Sequence, residues 1–567
     1  MKRLLAELCS VFPPLHRVER ARALSPEGVD EVRVLTALRP ERGWPRHWAW
    51  LPVRMAEDAQ GGAITPLRAD LPLSQQLHLQ PFEHADVSRL PGDALRGALP
   101  AAWFPPPQDP ASGQACGLLC LFVYADLAQQ QREGQAGETT LDAALATALA
   151  QDPVQLRHAF TPLPPEDETA ARPGEGLGFV LAACQYPPQM LDVSPGAERD
   201  PARAGPGQAA LARLLAFTRA SAAGRQTSLL LLAGDQIYAD ATGGLADGRN
   251  SVDRYARPYQ QFKAGLPRHL PPSLARIVHA PDDHEIVDNW EPVADPDAPG
   301  GQRRGPLADA ALAAAWAARW EAGEREGVLE HFWHRFDWRG AAFFVADART
   351  EREPRHVARL DQAQMLSARQ RQAFEAWLQA RAGRPRFVLS GSLPLPRRRA
   401  TRAHAASALR SDAWDGYPAS LHWLLGTLWT QRAQDVVLLS GDEHRSGYVR
   451  AEIAPVDGSG PAVRLVSIHS SALYAPWPFA VTRAEDFAAP ECFEFQTPGG
   501  QVLRCTVSAW HDAPGDGFAH LSLDPAGTRL RLWFDRAERP LHQALASADE
   551  AQWPAPDGEF PLGGGQG

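Results

Sequence analysis

At 567 residues and a formal net charge of −10, the chain lacks the basic excess with which a sequence-independent nucleic-acid binder neutralises phosphates. Hydrophobic residues make up 44%, enough for sizeable cores in more than one domain, and six cysteines are too few for a disulfide framework at this length. No window approaches the ~18–20 uninterrupted apolar residues of a membrane span, and Glu7 breaks the apolar start before a secretory core forms, so a cytoplasmic protein is the expectation.

Residues 1–170 read as a β-rich accessory domain with its linker. "HWAWLPVRMA" and "GLLCLFVYADL" have strand composition, and "TLDAALATALAQD" has the spacing of one short helix. Cys116 and Cys120 flank "GLL" with no acid or histidine nearby and read as core. Thr161 to Gly176, rich in Pro, Glu and Gly and without periodicity, reads as the linker.

From Leu177 the texture becomes an alternation of buried strands and apolar-faced helices. The strands are "LGFVLAACQYP", "TSLLLLAGD", "LARIVHAPDDHE", "AAFFVADAR", "PRFVLSGS" and "DVVLLSGDEH"; the helices are "LARLLAFTRASAA", "RQRQAFEAWLQARA" and Pro418 to Gln431. The pattern predicts an α/β domain over residues 177–545, completed by the strands "AVRLVSIHSSALY", "FAHLSLD" and "TRLRLWFD" and followed by a tail over 546–567.

The chemistry collects where strands stop, as it does in α/β proteins, because loops there are held by a rigid sheet. The strand ends carry Cys184; Asp235 with Tyr238; Asp282, Asp283 and His284; and Asp442 with His444. One acid after a strand is ordinary turn or cap chemistry. Several in one crevice would repel one another unless cations offset the charge. "HEIVDNW" is not a zinc-protease motif, because Asp288 stands where the second histidine should be.

The stretches "GDQIYAD", "PDDHEIVDN", "SDAWDGYPAS" and "LSGDEH", with the weaker "ACQYP" and "VADAR", resemble the motifs of PhoD-like alkaline phosphatases in the calcineurin-like metallophosphoesterase superfamily, over about Gly178 to Gly447. The resemblance implies a four-layer double β-sandwich flanked by helices, with a metal cluster at the strand ends. Carried over by position, it implies that Asp235 bridges two cations and that Cys184 and Tyr238 bind ferric iron. Asp283, Asn289, Asp415, Asp442 and His444 become further metal ligands, and His284 serves acid catalysis or phosphate contact. Asp412, Asp347 and Arg349 carry weaker site status. Asp442 in place of the superfamily's usual histidine favours oxygen-loving ions, Ca²⁺ foremost with Mn²⁺ or Mg²⁺ behind it, over Zn²⁺.

Arg257 is a candidate phosphate contact, as is Tyr259. The run Arg397 to Arg399 reads as a loop near the site, His469 lies in a family-like stretch, and Trp414 and Tyr417 read as packing for the Asp415 loop. The implied activity is hydrolysis of small phosphomonoesters or phosphodiesters by a metal-bound hydroxide. The alternative is a non-catalytic metal-binding scaffold. The export signal common in the family is not seen in the sequence, and the oligomeric state is open.

Overall fold

In the computed structural model, the described residues are 176–187, 206–243, 245–248, 276–294, 331–402, 405–470, 472–476, 482–487 and 490–563, with shorter pieces between them and isolated strands before residue 176. The chain divides into two compact units, Met1–Glu166 with Trp316–Leu329, and Asp167–Ala315 with Glu330–Gly567.

In the first unit, His47–Met55 lies antiparallel to Cys116–Val123, as the alternating aromatic and apolar residues predict. His47–Met55 also pairs with Ile64–Pro66 and His78–Pro81, and Phe160–Pro162 continues from Cys116–Val123. A second antiparallel sheet joins His16–Ala21, Glu31–Thr36 and Leu95–Pro100. The side chains of Cys116 and Cys120, the predicted helix over 140–152 and linker residues 163–175 lie outside the described residues.

The second unit is built on two mixed sheets. In the first, β1 (Leu177–Gln185), β2 (Thr227–Ala233) and β3 (Arg276–Ala280) run parallel in the order β3-β2-β1. Ala519–Leu523 lies antiparallel beside β1, followed by Arg529–Phe534 and Gly558–Pro561. The expected tail from residue 546 therefore contributes the last strand of this sheet, with Asp557 Oδ2 accepting the Phe534 N–H at 2.8 Å. In the second sheet, β4 (Ala341–Val345), β5 (Arg386–Ser390), β6 (Val436–Ser440) and β7 (Val463–His469) are successive parallel neighbours. Antiparallel strands extend it on both sides, among them His334–Trp338 and Ser446–Pro455.

The strand period of two assigns each side chain to a layer. Phe179 and Leu181 of β1, Leu229 and Leu231 of β2, Phe343 of β4, Phe387 of β5 and Val437 of β6 share one core between the sheets. Phe179 meets Phe343 and Phe387 edge-on, at ring-centroid distances of 5.8 and 5.2 Å. The alternate residues Phe344, Val388 and Leu438 face a second core, shared with helices α1 (Ala368–Ala380) and α2 (Pro418–Thr430) through Phe374, Trp377, Leu424 and Leu428. Burial on both faces explains why these parallel strands read as unbroken apolar runs. Each helix starts where local chemistry dictates: Ser367 caps the first by accepting the Gln370 N–H at 3.2 Å, and Pro418 opens the second.

Candidate metal centre

The carboxyl ends of β1, β2, β3, β5 and β6 converge on one crevice. Two glycines let the strands approach there. A Cβ on Gly441 would lie 2.1 Å from the Ala233 carbonyl oxygen, and one on Gly234 would lie 2.6 Å from Asp282 Cβ. Gly234 also has φ +94°, a conformation that favours glycine. Four chemistry-bearing residues without that freedom adopt the same left-handed region: Cys184 (φ 47°), Asp235 (φ 54°), Asn289 (φ 55°) and Asp442 (φ 81°). Strain of this kind, about 1–3 kcal/mol per residue, persists only where the surroundings over-determine it.

Within the crevice, Cys184 Sγ lies 3.3 Å from Asp235 Oδ2 and 3.7 Å from the Asp442 carbonyl oxygen. The Tyr238 hydroxyl is 3.4 Å from His444 Nε2, and its ring stacks on His284 with centroids 4.1 Å apart. Ligand atoms of Asp235, Asp283 and His284 lie within 4.8 Å of one another, as do those of Asp282, Asp283 and Asp442. Asp283 belongs to both groups, so the two adjacent clusters share one carboxylate. Cys184, Asp235, Tyr238, Asp283, His284, Asp442 and His444 are thus brought together from segments more than 200 residues apart.

Other expected residues stand differently. Asn289 is exposed beside the cluster and donates its backbone N–H to Asp283 Oδ2 at 2.6 Å. Asp415 commits both carboxylate oxygens to its own loop: Oδ1 accepts from Ser411 Oγ at 2.6 Å, and Oδ2 from the Arg398 N–H at 2.7 Å and Thr401 Oγ1 at 2.6 Å. It holds a loop, a role available to a short acid followed by glycine. Asp347 caps its own turn, accepting the Arg349 and Thr350 N–H groups. His469 is buried between Ser440 Oγ and the Glu443 carbonyl, and burial lowers its pKa to about 4. The side chain of Arg257 lies outside the described residues.

Sequence reasoning gave Glu285 no role, named Asp282 only as a strand-end acid and gave Arg349 only weaker site status. Glu285 is a buried clasp: Oε2 accepts the Asp235 and Asp282 N–H groups at 3.2 and 2.7 Å, and Oε1 accepts the Gln236 N–H at 2.6 Å. It ties the loops after β2 and β3 together, and burial pushes its carboxyl up to about 7. Asp240 takes His284 Nδ1 at 2.8 Å and the Asp288 N–H at 2.7 Å. Arg349, fully buried, donates from Nε to Asp282 Oδ1 at 2.7 Å and from a terminal nitrogen to Asp412 at 2.9 Å. Asp282 is a member of one of the two ligand groups, and its Oδ2 has no hydrogen-bond partner among the described residues. The "PDDHE" run held Glu285 and Asp282 in plain view, but only folding shows which carboxylates turn inward.

Electrostatics mark the crevice as a cation site. Burial, reinforced by Asp283, drives the Asp235 carboxyl well above its usual range; burial, then Asp412 and Asp282, does the same to Asp442. Burial likewise raises the Cys184 thiol and the Tyr238 phenol. Burial opposes charge on His284, but Asp283 and Asp235 outweigh it and raise its pKa. Asp282 Oδ2, Asp283 Oδ1 and Asp442 Oδ2 are buried without a hydrogen-bond partner among the described residues. An orphaned buried oxygen is costly, and a cation satisfies it. The donor set therefore fits bound metal.

Strand ends carrying carboxylates, a thiol, a phenol and imidazoles thus meet at one end of two mixed sheets in an α/β unit. The family profile described as PhoD-like phosphatase matches residues 214–476. A solved structure of PhoD superposes with a TM-score of 0.50 at 14% identity, covering 94% of this chain and 88% of that one, a likeness of fold. A purple acid phosphatase isolated from yellow lupin (Lupinus luteus) seeds gives a TM-score of 0.44 at 12% identity, covering 93% and 73%. No curated protein sequence matches the chain.

Proposed function

We propose that the chain hydrolyses phosphoesters in the crevice at the strand ends, using bound cations. The observation that carries this reading is the pair of ligand groups sharing Asp283, with three buried oxygens left without a hydrogen-bond partner among the described residues. Cys184, Asp235 and Tyr238 would hold a ferric ion, since thiolate and phenolate are strong anionic donors that coordination deprotonates. Asp282, Asp283 and Asp442 offer oxygens alone and would hold a harder divalent ion, Ca²⁺ foremost, with Mn²⁺ and Mg²⁺ as the other oxygen-loving choices and Zn²⁺ least suited. When bound, such ions acidify water and neutralise charge on phosphoryl oxygens.

The protein's own groups do the rest. Asp240 fixes the His284 ring through Nδ1. His284 can then protonate the departing alkoxide or hold a phosphoryl oxygen. Glu285 fixes the spacing of the Asp235 and Asp282 backbones, so the ligands are preorganised.

Elemental analysis and hydrolysis of nitrophenyl phosphate, on one preparation, test the proposal. The purified chain is expected to contain iron and a divalent metal, to be coloured by a ferric–tyrosinate transition, and to lose activity on chelation. Cys184→Ala and Tyr238→Phe are expected to remove the colour. Colour and activity surviving in both would sink the ferric assignment.

A further inference from the structure

The loop of three consecutive arginines splits into three different environments. Arg397 is fully engaged: Nε donates to Glu491 Oε2 at 3.0 Å, a terminal nitrogen lies 2.9 Å from the same oxygen, and the guanidinium sits 3.7 Å above the Phe493 ring. Arg399 starts a short helix, Arg399–Arg402, with its side chain exposed. Arg398 alone pairs with an acid that stands between two candidate ligands in the chain. Its guanidinium pairs with Glu443, the residue between the candidate ligands Asp442 and His444.

The backbone of Arg398 is pinned on three sides. Its N–H donates to Asp415 Oδ2, its carbonyl accepts from Thr401 Oγ1 at 2.8 Å, and it forms an isolated bridge with Phe487. Glu443 is held in turn by Thr482 Oγ1 at 2.7 Å. The Arg398 side chain keeps 29% of its surface open, while its buried Nε has no hydrogen-bond partner among the described residues. A guanidinium has five donors in a planar fork, more than one carboxylate can use. The "SDAWDGYPAS" motif thus acquires a purpose: Asp415 fixes an arginine at the rim of the cluster.

We propose that Arg398 is the phosphoryl-gripping residue of this site and that it favours phosphomonoesters over phosphodiesters. The inference rests on the phosphoesterase reading above. A monoester presents three non-bridging oxygens and up to two charges; a diester presents two oxygens and one charge. A fixed, permanently charged fork beside the cations serves the additional oxygen, and bidentate guanidinium–phosphate contact is the strong geometry for it.

The test compares wild type, Arg398→Ala, Arg398→Lys and Arg399→Ala, each loaded with metal and checked for metal content and melting temperature. Arg398→Ala is expected to lower kcat/KM for nitrophenyl phosphate by roughly 10- to 100-fold, while bis(nitrophenyl) phosphate changes by less than about threefold. Calorimetric binding of inorganic phosphate should weaken by about tenfold or more. Arg398→Lys, which keeps the charge but loses the fork, should fall between. Arg399→Ala, with the same loss of charge, should match wild type. Equal losses on both esters, or unchanged phosphate binding in folded, metal-replete Arg398→Ala, overturn the inference and leave the phosphoesterase reading standing. A wild type that turns over neither ester overturns that reading instead; phosphate binding then still decides whether Arg398 grips the phosphoryl group.

Discussion

Between the two sheets, Phe179, Phe343 and Phe387 meet ring against ring in a wholly buried core. A few residues further along the same unit, Asp235, Asp282 and Asp283 are buried as deeply, with carboxylates crowded together and left-handed backbone at Asp235. The first region gains free energy from every contact, about 25 cal/mol for each Å² of apolar surface removed from water. The second is held against its own repulsion by that core, by the Glu285 clasp and by Arg349. The contrast teaches that stability and chemistry are separated along each strand: the middle anchors, and the carboxyl end carries the charge that the anchor makes tolerable.

Mutations that strike only one region break the comparison open. The largest effect is expected from Asp235→Ala: activity on nitrophenyl phosphate should fall roughly a thousandfold or more, about 4 kcal/mol of barrier. The metal-free variant should melt no lower than the metal-free wild type, because a carboxyl whose pKa is raised by burial and Asp283 opposes folding near neutrality. A variant that unfolds would assign Asp235 to the scaffold. Phe387→Ala should do the converse, costing about 3 kcal/mol in denaturant unfolding while the folded fraction keeps its metal content.

Asp240→Asn sharpens the comparison from within the site. It should lower kcat about a hundredfold, near 2.7 kcal/mol, with metal content unchanged, because it disturbs the orientation of His284 and leaves Cys184, Asp235, Tyr238, Asp282, Asp283 and Asp442 in place. Loss of metal would show instead that Asp240 supports the cluster itself.

The last effect is a pH dependence that belongs to the packed region. His520, on the strand beside β1 and packed 5.1 Å from the Phe217 ring, has its pKa lowered by burial to about 3. Its folded pKa lies below the unfolded value of about 6.5, so its contribution is fully present above that value and is lost as the pH falls towards 3. Between pH 7 and 4 this is about 3 kcal/mol. His520→Leu should flatten the acid limb of a stability–pH profile by that amount, and an unchanged limb would place the acid sensitivity elsewhere.

Much of this was open to reading before folding. "LLLLAGDQIYAD" announces a buried strand, a glycine turn and an acid leaving the core, and the parallel strands betray themselves by apolar runs that only two-sided burial explains. The strands Ser446–Pro455, Glu491–Gln496 and Val502–Val507 were harder to see, because their alternation carries charges and polar residues on the exposed face and lacks the long apolar run. Asp415 was harder to place because a motif acid looks alike whether it faces a metal or its own loop; in the structure its oxygens accept from a serine, a threonine and a backbone N–H.

By itself, the sequence determined the residue types and the order in which they meet strand ends: thiol, carboxylate and phenol, paired acids with histidine, then acid and histidine again. Local rules suffice for that, since strand period and glycine conformation act over a few residues. Only the tertiary structure decided which carboxylates are shared, which are clasped and which are neutralised by arginine. Those assignments depend on distances between residues far apart in the chain, among them Asp282 and Arg349, or Arg398 and Glu443. Electrostatic energy depends on separation in space and on burial, neither of which the order of residues contains.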